Sequence, residues 1–150
     1  MASKNMVFSV LPVVNGAPLV VVSIGKAGPT NAEWDLYLNA LRKLTSLDDM
    51  RTLVLTDGGG PDSVQRKTLI DFMKGKPTLT CMVSGNPIVR GLTTALSWFN
   101  PQIKSFAPDR VDEALHYLNV PPESSSMVWH EIKRLREQLD GAPMKKVAGD

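Results

Sequence analysis

Residues 51–84 read RTLVLTDGGGPDSVQRKTLIDFMKGKPTLTCMVS, and the succession of patterns inside this stretch decides the fold. Arg51 to Asp57 is a short strand-like run, stopped by Gly58-Gly59-Gly60-Pro61. Asp62 then stands as a helix cap, with Gln65 three residues on to complete a capping box. Val64, Leu69, Phe72 and Met73 are expected to face inward on that helix, which Lys74-Gly75-Lys76-Pro77 closes. Leu79 to Ser84 is a second strand. Strand, helix and strand with tight punctuation form a βαβ unit, whose two strands run parallel and whose crossover is right-handed.

Towards the N-terminus, residues 6–14 (MVFSVLPVV) and 19–24 (LVVVSI) are two more strands, and Asn15-Gly16 between them is a strong hairpin turn signal. Pro12 and Pro18 put this hairpin at a sheet edge, because proline cannot donate to a ladder. Thr30 and Glu33 spell another capping box, followed by Trp34, Tyr37, Leu38, Leu41 and Leu44 at helical spacing. Towards the C-terminus, Asn86-Pro87 opens a helix expected to carry Ile88, Leu92, Ala95, Leu96 and Phe99 on its apolar face. Ile103 to Phe106 is a fifth strand, and Pro108 starts a helix with Val111, Ala114, Leu115 and Leu118 on one side. Pro121-Pro122 ends that helix. Ser124 to Ser126 is read as the cap of a last one, with Val128, Ile132, Leu135 and Leu139 inward and Lys133, Arg134, Arg136 and Glu137 facing away.

The fold class that follows is α/β: a single mixed, mostly parallel five-stranded sheet with an N-terminal antiparallel hairpin. Helices are expected mainly on one face, because the hairpin reads as half buried, and one extra helix is appended. Residues 6–120 are expected to form the domain, 121–141 the appended helix and 142–150 a flexible tail. A chain of 150 residues suffices for one core.

Charge and composition narrow the partners. A net charge of +2 with interspersed signs gives no field suited to nucleic acid, and 6% aromatic residues do not make a base-stacking platform. The N-terminal MASKNMVFSV lacks the apolar stretch of a secretion signal, and no apolar run has the ~20 residues of a membrane-spanning helix. One cysteine, Cys81, excludes an internal disulfide and a zinc cluster of cysteines. The expectation is a cytoplasmic protein without integral membrane association, cofactor or metal.

Three segments carry a resemblance: LVLTDGGGPDSVQRKTLIDF, LTCMVSGNPIVRGLTTAL and IKSFAPDRVDEALHYL. Over residues 6–119 the chain is similar to STAS domains, which include anti-sigma-factor antagonists and the cytoplasmic domains of sulfate transporters. The nearest branch is that of the stand-alone domains resembling stage II sporulation protein AA. Phe106, Asp112, Glu113, Ala114, Leu115 and Leu118 match the wording with which that branch closes. The resemblance implies a regulatory module that docks on another protein. Kinase-switched members carry a phosphorylatable residue at the start of the second helix. Here Asp62 and Ser63 match, but Val64 stands at the modified position, so the resemblance does not extend to that switch.

The loop from Asp57 to Ser63 is the first candidate site, at the carboxyl end of a strand and the amino end of a helix. Asp57, Gly58, Gly59, Gly60, Asp62, Ser63 and Arg66 are the expected partner-binding residues, and a bulky charged residue at Gly59 is expected to weaken binding yet spare the fold. The glycines lack the lysine and spacing of a phosphate-binding P-loop. Lys26, Asn86 and Arg90, on neighbouring loops, are candidate anion ligands. Val128, Trp129, Ile132 and Leu135 are a candidate homodimer interface, against the ordinary expectation that such a stripe packs on its own domain. No catalytic residue is expected: His116 and His130 have no partner at a telling spacing, and Cys81 has no adjacent cation. The first function is therefore a non-enzymatic regulatory or scaffolding module. The alternative is a carrier or sensor of a small apolar or anionic ligand, which requires an apolar cavity near Phe72, Met73, Met82 and Trp98.

Overall fold

The computed structural model describes residues 4–139 apart from 45, 46, 48, 98 and 99. Trp98, Phe99 and the tail expected at 142–150 lie outside the described residues. Five strands, β1 (Met6–Val14), β2 (Ala17–Ile24), β3 (Arg51–Thr56), β4 (Leu79–Val83) and β5 (Ile103–Phe106), form one sheet in the order β1-β2-β3-β4-β5. The hairpin β1–β2 is antiparallel and the remaining pairs are parallel. Its turn has φ of 54° at Asn15 and 86° at Gly16, the paired left-handed conformation that Asn-Gly favours. Between Leu11 and Val14 the register shifts, so β1 is irregular where Pro12 interrupts its donors.

Five α-helices complete the chain: α1 (Asn31–Arg42), α2 (Ser63–Phe72), α3 (Pro87–Leu96), α4 (Val111–Tyr117) and α5 (Pro122–Gln138). Parallel strands laid down in sequence order by right-handed crossovers must send every crossover helix to the same face. Thus α1, α2 and α3 share one side of the sheet. The placement expected from sequence holds for these three, while α4 and the appended α5 cover the opposite side. Strand parity shows the division. Leu19, Val21, Leu53, Leu55, Cys81 and Val83 point into the core beneath α4 and α5. Val20, Val22 and Ile24 point the other way, to Trp34, Tyr37, Leu38 and Leu41 of α1.

Both predicted capping boxes form. Thr30 Oγ1 accepts from the Glu33 amide at 3.1 Å while the Thr30 amide donates to Glu33 Oε1 at 2.9 Å. Asp62 Oδ1 and the Gln65 side chain do the same for α2, at 2.8 and 2.9 Å. Glu33 reaches further: its second oxygen accepts the Asn5 and Met6 amides and so pins the start of β1 to α1. Burial raises the Glu33 carboxyl, and the backbone amides of Thr30, Met6 and Asn5 outweigh it, leaving the group below its ordinary value.

Four details differ from the sequence reading. Helix α5 begins at Pro122, with Pro121 at the cap, so Ser124 to Ser126 lie inside it; a proline at the first helical position loses no hydrogen bond. Val64 is 70% exposed and Gln65 is buried instead, its amide donating to Pro29 O and Asn31 Oδ1. In α3, Ile88 is 78% exposed and the buried residues are Val89 and Thr93. Arg136 turns inward, only 3% exposed, rather than facing away. Among the described residues, no helix is long and apolar enough to cross a membrane.

Candidate functional site

The loop after β3 is built to close on the molecule itself. The Gly59 amide donates to Gly25 O at 2.9 Å, and the Thr56 hydroxyl donates to Gly59 O while accepting the Gly58 amide. A Cβ on Gly59 would collide with Ala27 O and lie 2.6 Å from Gly25 O. The glycine is therefore required by the neighbouring 25–28 loop. The expectation that a bulky residue at Gly59 spares the fold is corrected by this contact. Asp57 is engaged as well, accepting from Arg136 Nη2 at 2.5 Å, with Arg136 Nη1 donating to Ser23 Oγ at 3.1 Å. This pair fastens α5 across the sheet to the end of β3.

The other expected residues fall in two groups. Asp62 and Ser63 are exposed at the start of α2, and Arg66 is half-buried, with Nη1 donating to Pro61 O at 2.8 Å. Asn86 caps α3, accepting the Ile88 amide at 2.9 Å, and its side-chain nitrogen lies beside Gly58, so the loops after β3 and β4 do meet. Lys26 and Arg90 have exposed side chains. Val128, Ile132 and Leu135 are buried in the chain's own core, and Trp129 donates to Asp112 Oδ1 at 2.8 Å. The stripe offered as a homodimer interface is thus occupied by intramolecular packing, as amphipathic surface helices usually are.

The groups with reactive potential are dispersed. Cys81 is buried, its Sγ donating to Ala114 O at 3.6 Å, and burial pushes the thiol up to about 12. His116 is exposed near the end of α4, beside Leu118, whose carbonyl accepts from Arg51 at the start of β3. Asp57 stands at the other end of that strand, some ~20 Å away at strand rise.

What the sequence named only as a condition is present as a space. Over β3 and β4, between the sheet and helices α2 and α3, lies an apolar chamber of about 340 Å³. Its floor is Val22, Val54 and Met82 with Thr52 and Thr80, and its roof includes Leu69 of α2, Met73 at the C-cap of α2, and Val89, Leu92 and Leu96 of α3. Two of the four residues anticipated for such a cavity, Met73 and Met82, line it. Phe72 packs instead toward α1, under the Arg42 guanidinium. The chamber exists because α2 leans on α1, where Trp34 Nε1 donates to Thr68 Oγ1 at 3.0 Å, while α3 leans on β5. The side chains of the two helices therefore roof the sheet face between them without filling it. Gly59, Gly60, Pro61 and Arg66 border one end, and Gly75, Lys76, Thr78 and Asn100 the other. No residue flags this in isolation, although the Gln65, Leu69, Met73 spacing of four marks the true inner face of α2.

A second depression, of about 390 Å³, lies at the end of the sheet where β3, β4 and β5 begin and is polar, lined among others by Asn15, Arg51, Gln102 and Asn119. Arg51 is 5% exposed and spends its guanidinium on the carbonyls of Leu118, Asn119, Ala17 and Val14. It works as a clamp between the hairpin and the end of α4.

No family model matches this chain, and neither does any curated protein or solved structure.

Proposed function

We propose that this chain is a non-enzymatic binding protein whose site is the chamber beneath α2 and α3, occupied by a small, largely apolar molecule. The observation that carries this reading is an apolar space of about 340 Å³ between the sheet and helices α2 and α3. Its size falls within the ~300–1,000 Å³ of small-molecule sites, and its walls are apolar with a few polar groups at the ends, as such sites are. Dispersal of the histidines, the raised thiol of Cys81 and the engagement of Asp57 by Arg136 favour binding over catalysis. A cytoplasmic setting and kinship with STAS domains belong to the same proposal. They rest on a single buried cysteine and on the resemblance of residues 6–119.

A titration with the neutral apolar dye Nile red tests the reading. Saturable binding with one dye per chain is expected, lost in both Leu92→Trp and Val54→Trp, with circular dichroism used to verify that each variant is folded. If the wild-type chain shows no saturable binding, the chamber is not a ligand site.

Docking of another protein is the second reading, favoured by Val64 and Ile88. These large apolar side chains stand 70% and 78% exposed at the starts of α2 and α3, beside the loops that the sequence singled out. On this reading Val64→Asp with Ile88→Asp abolishes capture of a partner while leaving Nile red binding intact.

A further inference from the structure

The chamber has an electrostatic direction. Its middle is walled by aliphatic and methionine side chains, and no carboxylate is among the described residues that line it. At one end stands Arg66, half-buried, its Nη1 fixed by Pro61 O at 2.8 Å. That single bond orients the planar fork and leaves further N–H donors for an anion. A cation held at the end of an apolar channel selects a ligand with the reverse construction, an apolar body and one anionic end. A wholly apolar molecule would leave the guanidinium partly desolvated with no gain, whereas a carboxylate or phosphate would offset that cost with charge-assisted hydrogen bonds. The far end, bordered by Lys76, lies about ten residues further along α2 and its C-terminal turn, or ~15 Å at helical rise. The two cations therefore cannot share one small head group.

We infer that the ligand is a single-chain anionic amphiphile, its acidic head on Arg66 and its apolar chain running under α2 past Val54 and Met82 toward Met73. This deepens the proposed function and depends on it. The shared chemistry covers both a carboxylate and a phosphate monoester as the head.

Calorimetric titration with decanoate, decyl phosphate, decanol and decylammonium, on the full chain and on Arg66→Gln and Lys76→Gln, tests the assignment. At least one of the two anions is expected to bind about tenfold more tightly than decanol, and to lose about that factor in Arg66→Gln. Decanol affinity is expected to be unchanged in Arg66→Gln, which also shows that the variant is folded, and Lys76→Gln is expected to leave anion binding intact. The stronger of the two anions identifies the head group. Equal affinity for decanol and both anions overturns the inference but leaves the chamber as a site. So does loss of anion binding in Lys76→Gln but not in Arg66→Gln. Failure of all four probes where Nile red binds removes the amphiphile class alone. Failure of Nile red as well removes the chamber reading with it.

Discussion

Gly59 and Gly60 are adjacent and chemically identical, yet the structure gives them opposite tolerances. A methyl group on Gly59 would meet two backbone carbonyls, Ala27 O and Gly25 O, neither of which can swing aside as a side chain would. Around Gly60 an added Cβ has nothing within 4 Å. Gly59→Ala is therefore expected to lower unfolding stability by about 2 kcal/mol, and Gly60→Ala to change it by less than about 0.5 kcal/mol, both from urea melts. Equal effects would show that the two loops do not touch. The run of three glycines is conspicuous in the sequence, but which one is indispensable is fixed by a loop some thirty residues earlier. Arg136 teaches the same lesson. Val128, Ile132 and Arg136 recur every four residues, so the spacing places this arginine inside the apolar stripe of its helix. Its charge argues for solvent, and the carboxylate of Asp57, 79 positions away, helps to reconcile the two, together with the hydroxyl of Ser23.

At the scale of elements, the first helix is more than a covering for the sheet. Glu33 closes its capping box and also holds the Asn5 and Met6 amides, so α1 and β1 share one carboxylate. Because this group sits below its ordinary 4.5 in the folded chain, its contribution is complete above about pH 4.5 and disappears as the pH falls through the depressed folded value. Glu33→Gln is expected to cost about 1 kcal/mol at neutral pH. The gap between variant and wild type should then shrink below pH 4.5, as followed by denaturant midpoints across the acid range. A gap that stays constant would mean that the carboxylate is not what the amides recognise. The box itself was plain in the sequence, since Thr and Glu three apart before an apolar stripe have a local meaning. Its second duty was not, because strand β1 precedes the helix by an entire hairpin. Strand identities, the Asn-Gly turn and the stripe of α4 were equally legible. On α2 and α3 the expected inner residues Leu69, Met73, Leu92 and Leu96 do line the chamber, and the misreading is confined to the first turns, where Val64 and Ile88 are exposed. Gln65 and Thr93 take burial through hydrogen bonds that hydrophobicity does not register. The chamber was the least legible feature. A void records the distance between helix axes, and no single residue encodes it.

For the whole molecule, the sheet is shared between two unequal sides. Helices α1, α2 and α3 leave a space against their face, whereas α4 and α5 fill theirs with Val128, Ile132, Leu135 and Leu139. Ending the chain at Val120 would uncover Leu19, Val21, Leu53 and Leu55 together. Such a truncation is expected to aggregate or bind apolar dyes at many sites, and sedimentation would distinguish this from a well-behaved monomer. A monodisperse, folded fragment would show that α5 is an accessory. The strands neighbour one another in the order of synthesis, so each ladder can form as soon as its newest member leaves the ribosome. The last helix is the exception, since its arginine reaches Ser23 across 113 positions. A nascent chain therefore holds a finished sheet whose one greasy side is covered only in part, by α4 against β4 and β5, until residues 122–139 emerge to cover β1 and β2, and that interval is when a chaperone has the most to grip.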